Sequence, residues 1–235
     1  MKGCLCIHGF TGAPYEVEPL VRHLKEETDW VLKVPTLPGH GETPGLKGIQ
    51  FSEWIAHAEN ELRDLLEECT EVYIIGFSMG GLIAAYLASR YRIDKLVLLS
   101  AAAYYLNPRQ MLIDVKELFA DAIRGNAANN ELFIRYRKKI LETPLAATLE
   151  FRKLVRYIRP ILDKITIPVL IVQGECDGIV PVKSAKYIYE RITSEQKELC
   201  FLPCSKHLIC HGEDFPMLVE VIESFLMTQN KMSVK

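Results

Sequence analysis

The most informative segment of the chain is Val72-Tyr73-Ile74-Ile75-Gly76-Phe77-Ser78-Met79-Gly80-Gly81. Its first four residues form a continuous apolar run, which is typical of a β-strand that is covered on both faces. The residues that follow, 79–91, predict an amphipathic helix. Between the strand and the helix, Gly76 and Gly80 flank Ser78 in the pattern G-x-S-x-G. This pattern predicts a sharp turn that lifts the hydroxyl of a nucleophilic Ser78 off the sheet, because glycines let neighbouring backbones approach closely.

The rest of the chain alternates short β-rich runs with helical patterns, which predicts parallel strands joined by crossover helices. The predicted strands are 2–7, 30–34, 72–75, 95–99, 169–173 and 197–202, and the predicted helices are 15–27, 51–69, 79–91, 181–192 and 215–227. The alternation stops at residues 101–164, where helical spacing dominates. We therefore expect an α/β protein with a mostly parallel, doubly wound sheet. Its core consists of residues 1–100 and 165–235, and a small helical cap, residues 101–164, interrupts it.

Composition excludes several classes of protein. The 235 residues are 49% hydrophobic and 25% charged, as in ordinary globular domains. The net charge of -2 lacks the positive excess that is typical of nucleic-acid-binding proteins, so we expect no nucleic-acid partner. No apolar run approaches the roughly 18 residues that span a bilayer, so we expect no stable membrane insertion. Without a signal-peptide pattern, and with an odd number of cysteines, seven, the chain is expected to be cytoplasmic. The oligomeric state stays open.

A nucleophilic serine needs a general base and a carboxylate that orients the base. Of the six histidines, His207 is the best candidate, because it follows the last predicted strand and so lies at the same sheet edge as Ser78. Asp177 follows the preceding strand, with Glu175 as a rival. An Asp in such a turn is often only an N-cap for the next helix. The order Ser78, Asp177, His207 is nevertheless the order of the α/β-hydrolase arrangement.

Two backbone amides are candidates for the oxyanion hole. The amide of Met79 lies at the start of a helix, next to the nucleophile. The second is the amide of Phe10, in the segment His8-Gly9-Phe10-Thr11-Gly12, where the glycines are expected to let the backbone turn toward Ser78. A plain turn before a helix is the alternative. His8 is interpreted as a residue that holds this loop.

Taken together, these motifs resemble a bacterial carboxylesterase of the α/β-hydrolase superfamily, in the branch that includes monoacylglycerol lipases. The resemblance spans nearly the whole chain and rests on residues 8–12, Pro38-Gly39-His40-Gly41, residues 76–81, Asp177 before Val180-Pro181, Glu142-Thr143-Pro144, and Ser205-Lys206-His207-Leu208-Ile209. It implies a catalytic triad of Ser78, Asp177 and His207, oxyanion donors at Phe10 and Met79, and short- to medium-chain acyl esters as substrates. Lys206 and Cys176 depart from the family pattern.

The predicted reaction is ester hydrolysis through an acyl-enzyme, with a small-molecule acyl ester, such as a monoacylglycerol, as the partner. Thioester or carbon–carbon bond hydrolysis with the same triad, and a binding module without turnover, remain alternatives. The cap is expected to supply the acyl pocket, although helical packing explains the same pattern, and the candidate walls are Met111, Leu118, Phe119, Phe133, Tyr136 and Leu154. The basic character of the cap fits either solvated helix faces or a mouth for anionic substrates.

No cofactor is required by this chemistry, and no glycine loop for a nucleotide is present. A metal site is the alternative use of the crowded residues Cys200, Cys204, His207, Cys210 and His211. Their spacing fits no closed zinc knuckle, and a metal would withdraw His207 from Ser78. We therefore expect no metal.

Overall fold

The computed structural model describes residues 1–41, 45–104 and 143–228. In this part of the chain the strands are β1 (Lys2–Ile7), β2 (Val31–Lys33), β3 (Glu71–Phe77), β4 (Lys95–Leu99), β5 (Val169–Gly174) and β6 (Lys197–Leu202). The α-helices are α1 (Glu18–Glu27), α2 (Phe51–Glu68), α3 (Met79–Ala88), α4 (Leu145–Ile158), α5 (Val182–Arg191) and α6 (Phe215–Met227), and short 3-10 turns occupy Pro14–Glu16, Arg159–Lys164 and Ile209–His211.

The six strands form one sheet in the order β2-β1-β3-β4-β5-β6, and every pair of neighbours is parallel. The predicted doubly wound sheet is thereby confirmed. The chain runs outward from β1 in one direction to β2 and in the other to β3, so strand order reverses between β1 and β3. Ligand sites of open parallel sheets lie at the carboxyl ends of the strands at such a reversal.

Both faces of the sheet are covered. Alternate side chains of each strand point to opposite faces, as the two-residue period requires. Leu5 and Ile74 join the apolar core beneath α2, α3, α4 and α5, whereas Cys4 and Tyr73 join the core beneath α1 and α6. This burial explains why the central strands read as continuous apolar runs rather than as alternating ones.

Two helices illustrate how the flanking layer forms. A capping box between Gln50 and Glu53 begins α2, and its buried residues recur with helical spacing: Trp54, Ile55, Ala58, Leu62 and Leu65. The prediction of an amphipathic helix after Ser78 was wrong, because every residue of α3 is buried. α3 lies between the sheet and the outer helices α2 and α4, so it has no solvent face.

The predicted cap, 101–164, lies only partly within the described residues. Its described portion contains α4 and the following 3-10 turn, and α4 buries Ala147, Phe151, Leu154, Val155 and Ile158 against α2 and α3. The division of the chain into core and cap stays a prediction. Within the described ranges, no helix is both long enough and apolar enough to cross a membrane.

Candidate active site

Ser78 occupies a sharp turn between the end of β3 and the start of α3. Its backbone has φ 53° and ψ -114°, in a region that residues other than glycine rarely adopt. Hydrogen bonds hold this conformation: the Ser78 amide donates to the Leu99 carbonyl at 2.8 Å, and the Ser78 carbonyl accepts from the amides of Gly81 and Ala102. The strained residue is therefore tied to the end of the neighbouring strand β4.

The glycines around Ser78 are required by close packing. A Cβ at Gly80 would lie 2.3 Å from the carbonyl oxygen of Ile7 and 2.5 Å from that of His8, and one at Gly76 would lie 2.4 Å from the Gly80 carbonyl oxygen. These distances are far below contact range and involve backbone atoms that cannot swing away. The expectation that these positions need small residues is thus supported by the packing.

The structure brings Ser78, Asp177 and His207 together at the carboxyl edge of the sheet. Ser78 Oγ lies 3.0 Å from His207 Nε2, and His207 Nδ1 lies 2.8 Å from Asp177 Oδ2. All three residues are buried, with 7%, 9% and 5% of their surface exposed. With Nδ1–H donating to the carboxylate, Nε2 accepts from the serine hydroxyl. The imidazole is therefore oriented to remove the Ser78 proton.

The carboxylate of Asp177 is held by further donors. Its Oδ1 accepts the amides of Ile179 and Val180, each at 2.9 Å, and its Oδ2 accepts the side-chain amide of Gln173 at 3.0 Å. These bonds close the turn before α5, whose N-cap residue is Pro181, so Asp177 is not an N-cap. The rival Glu175 is exposed.

Gln173 was missed by sequence reasoning. It is fully buried at the end of β5, and its Nε2 also lies 3.2 Å from the Gly174 carbonyl oxygen and 3.1 Å from that of Val180. A polar residue in an otherwise apolar buried strand, four residues before the acid, was the available signal.

The other histidines are engaged elsewhere. His8 Nε2 accepts the Leu37 amide at 3.1 Å while Nδ1 donates to the Gly9 carbonyl, which fits its interpretation as a loop-holding residue. His23 pairs with Glu223, and His211 donates to the Tyr15 carbonyl. None of these four bonds leads to Ser78.

The loop after β1 passes beside the nucleophile turn, because Gly80 packs directly on the carbonyls of Ile7 and His8. The amide of Met79, as the first residue of α3, has no acceptor within the helix. Phe10 and Met79 thus lie on adjacent segments at this edge. Their role as oxyanion donors stays a prediction.

The backbone turns within this loop, and the Gly12 amide donates to the Gly9 carbonyl at 3.3 Å. The residue with positive φ is Thr11, at 62°, whereas Gly9 and Gly12 adopt no left-handed conformation. Glycine is needed instead to seat the buried carboxylate of Glu16, which accepts the Gly9 amide at 2.7 Å and lies only 2.0 Å from where a Cβ of Gly12 would be. Glu16 therefore fixes the loop from within.

An aromatic cluster covers the same loop. Phe10 stacks on Phe151 of α4 with ring centroids 5.0 Å apart, and Trp54 and His40 lie 5.8 Å and 6.1 Å away. Leu154, a predicted wall of the acyl pocket, is fully buried in the core beneath α4. The other predicted walls, Met111, Leu118, Phe119, Phe133 and Tyr136, lie outside the described residues.

The segment that suggested a metal site does not converge on one point. Cys204 is exposed, Cys210 is buried in the core beneath α1 and α6, and His207 contacts Ser78 and Asp177. Within residues 1–41, 45–104 and 143–228, no three His, Cys, Asp or Glu side chains form a group that could hold a metal ion.

The sequence matches a known protein family over most of its length. A family model described as serine aminopeptidase, S33, matches residues 2–214. The chain belongs to this family. It is 30% identical to a thermostable monoacylglycerol lipase of Bacillus sp. (strain H-257), over 93% of the chain and 87% of that protein. It is 24% identical to a carboxylesterase of Bacillus subtilis (strain 168), over 96% and 92% of the two chains.

Solved structures with the same fold align with nearly the whole of this chain. One is a structure reported for two metagenome-derived lipolytic enzymes, with a TM-score of 0.79 and 23% identity over 97% of this chain and 94% of that one. An esterase from Exiguobacterium antarcticum matches with a TM-score of 0.74 and 20% identity, over 97% and 92% of the two chains. The chain therefore has the α/β-hydrolase fold, and the resemblance to bacterial esterases and lipases is confirmed.

Gly80→Ala should destabilise the protein by about 2 kcal/mol or more, because the new methyl group would overlap the carbonyls of β1. Thermal unfolding followed by circular dichroism measures the change. Gly45→Ala is the matched control, since a Cβ at Gly45 meets no atom of the described residues within 4 Å. Equal stability of the two variants would contradict the packing argument.

Proposed function

We propose that the protein is a serine hydrolase that cleaves short- to medium-chain carboxylic esters through an acyl-enzyme, with Ser78, His207 and Asp177 as its catalytic residues. The observation that carries the proposal is the continuous hydrogen-bonded chain from Ser78 Oγ through the imidazole of His207 to the Asp177 carboxylate, buried at the carboxyl edge of the sheet. A hydroxyl, a base and an orienting carboxylate in this order are the parts that nucleophilic acyl transfer requires.

In the first half-reaction His207 Nε2 takes the Ser78 proton as the hydroxyl oxygen attacks the ester carbonyl carbon. The resulting imidazolium lies against the buried Asp177 carboxylate, which stabilises the positive charge. His207 then protonates the departing alcohol, and the acyl group remains on Ser78. In the second half-reaction the same imidazole activates water, which releases the acid and restores the serine.

The amides of Phe10 and Met79 are proposed to stabilise the oxyanion. Both belong to rigid segments, because Glu16 holds the Phe10 loop and the packing of Gly80 fixes the start of α3 against that loop. Donors that are already in place need no rearrangement when negative charge develops, which is the source of their effect on the rate.

Gln173 is proposed as a positioning residue. Its amide fixes Asp177 Oδ2, the oxygen that His207 contacts, while the backbone amides of Ile179 and Val180 fix Oδ1. The carboxylate is thus held at both oxygens, so the imidazole has one preferred orientation toward Ser78.

The substrate class is inferred from the relatives and from the apolar surroundings. Two relatives are named monoacylglycerol lipase and carboxylesterase, and small-molecule esters of this kind are the proposed partner. Phe10, Trp54 and Phe151 provide an aromatic wall beside the loop of the proposed oxyanion hole, and Leu154 lies in the core beneath it. The rest of the acyl pocket is assigned to the cap, 101–164.

Ser78→Ala should lower kcat on p-nitrophenyl butyrate by at least about 10⁴-fold and abolish labelling by a fluorophosphonate probe, because the attacking oxygen is gone. Ser100→Ala is the matched control: Ser100 is buried at the end of neighbouring β4, and its hydroxyl has no hydrogen-bond partner in the described part of the chain. If Ser78→Ala kept the parental activity, the assignment of the nucleophile would be contradicted. If the wild-type protein were not labelled by the probe, the result would favour a binding module without turnover.

Gln173→Leu should lower kcat about tenfold and change KM less than about twofold. A misaligned Asp177 carboxylate stabilises the transition state less well but leaves substrate binding intact. The rate of fluorophosphonate labelling should fall in parallel, while the melting temperature moves by no more than about 3 °C. An unchanged kcat would remove Gln173 from the mechanism, and a large fall in melting temperature would give it a structural role instead.

A series of p-nitrophenyl esters from two to twelve carbons, compared with matched thioesters, tests the substrate class. We expect kcat/KM to rise with each methylene group up to about eight carbons and then to fall, since a closed apolar site gains binding energy only until it is filled. The kcat/KM for each ester should exceed that for the thioester of equal acyl length. A flat profile would argue against a closed acyl site, and a preference for thioesters would favour the alternative hydrolase.

A further inference from the structure

Two cysteines lie side by side at the edge of the sheet that carries the active site. Strands β5 and β6 are parallel neighbours in which Gly174 pairs with Leu202, and the Glu175 amide continues the pairing by donating to the Leu202 carbonyl at 2.9 Å. Cys176 follows Gly174 by two residues, and Cys204 follows Leu202 by two residues. The loops that carry the two cysteines therefore begin at the ends of neighbouring strands.

Cys176 contacts the residues on both sides of Cys204. Its Sγ lies 3.3 Å from the carbonyl oxygen of Pro203, and its amide donates to the carbonyl of Ser205 at 3.1 Å. The Pro203 carbonyl belongs to the peptide group that joins Pro203 to Cys204, so the Cys176 sulfur lies next to the backbone of Cys204. A disulfide needs Cα atoms about 4.4–6.8 Å apart, and this contact brings the Cys176 side chain into the neighbourhood that such a bond requires.

Both thiols are exposed, which distinguishes them from the other cysteines. Cys4, Cys6, Cys69 and Cys210 are buried, and Cys200 is half-buried. A small oxidant in solution therefore reaches Cys176 and Cys204 before the rest.

The environment of Cys204 fits the resolving member of the pair. The carboxylate of Asp214 accepts the Cys204 amide at 2.8 Å, and its negative charge is the main cause that raises the pKa of the Cys204 thiol, with a smaller contribution from Cys176. Cys204 is thus mostly protonated at neutral pH, and its attack on an oxidised partner becomes faster as the pH rises.

We propose that Cys176 and Cys204 form a reversible disulfide. This bond links the loop that carries Asp177 to the loop that carries His207. Hydrogen peroxide oxidises the Cys176 thiol to a sulfenic acid and is itself reduced to water. The Cys204 sulfur, after losing its proton, then attacks the Cys176 sulfur and expels the oxygen as a second water, which leaves a disulfide. A dithiol reductant restores both thiols.

The position of the bond gives it a mechanical consequence. Asp177 directly follows Cys176, and His207 lies three residues after Cys204. A disulfide here closes a loop of about 29 residues and ties together the two segments that carry the acid and the base. Because the thiols already lie on neighbouring backbones, the bond should raise thermal stability without separating Asp177 from His207.

Mass spectrometry of the peroxide-treated protein tests the site. Trypsin is expected to release residues 165–183, which contain Cys176, and residues 198–206, which contain both Cys200 and Cys204. We expect one linked pair of these peptides, a loss of two alkylatable thiols, and reversal of both by dithiothreitol. The melting temperature should rise by about 5 °C on oxidation.

Serine variants identify the partners. Cys176→Ser and Cys204→Ser should each abolish the linked peptides and the rise in melting temperature, whereas Cys200→Ser should retain both. Loss of the link in Cys200→Ser, or oxidation of Cys176 to sulfinic acid while Cys204 stays free, would overturn the pairing. An unchanged melting temperature of the disulfide-linked protein would overturn the inference that the bond stabilises these two loops. These readouts are independent of ester hydrolysis.

Discussion

The backbone of Ser78 lies in a left-handed conformation, and the arrangement of the whole site depends on what holds it there. The strain costs roughly 1–3 kcal/mol. It is offset by the hydrogen bond from the Ser78 amide to β4 and by the packing of Gly80 on the carbonyls of Ile7 and His8. The turn is thus fixed by both neighbours of β3, the strands β1 and β4, and it directs the serine hydroxyl toward the imidazole of His207.

The parallel sheet supplies the remaining parts from separate regions of the chain. The loops after β1, β3, β5 and β6 all leave the same edge, and the Ser78 hydroxyl, the Asp177 carboxylate and the His207 imidazole meet there. Each group is held by its own neighbours: Glu16 holds the first loop, and Gln173 holds the acid. The same convergence places Cys176 beside Cys204.

Much of this organisation could be predicted from the sequence. The bounds predicted for β1, β4, β6 and α6 agree with the structure, because these elements begin and end at changes of polarity that are local in the chain. The predicted bounds of two helices that follow residues with positive φ, Thr11 and Ser78, agree less well with the structure. The helix after Ser78 ends at Ala88 rather than at residue 91, and the helix before β2 is divided between a 3-10 turn and α1.

The α/β class, the alternation of strands and helices, and the candidates Ser78 and His207 could be inferred from the sequence, since each of these follows from local period, local turn chemistry and the order of motifs. Three features are visible only in the folded molecule: Asp177 rather than the exposed Glu175 meets the imidazole, Gln173 and Glu16 hold the site, and the glycines at 9 and 12 make room for a carboxylate. The physical reason is that burial, donor–acceptor geometry and close approach belong to pairs of residues distant in the chain, and no local pattern encodes the distance between them.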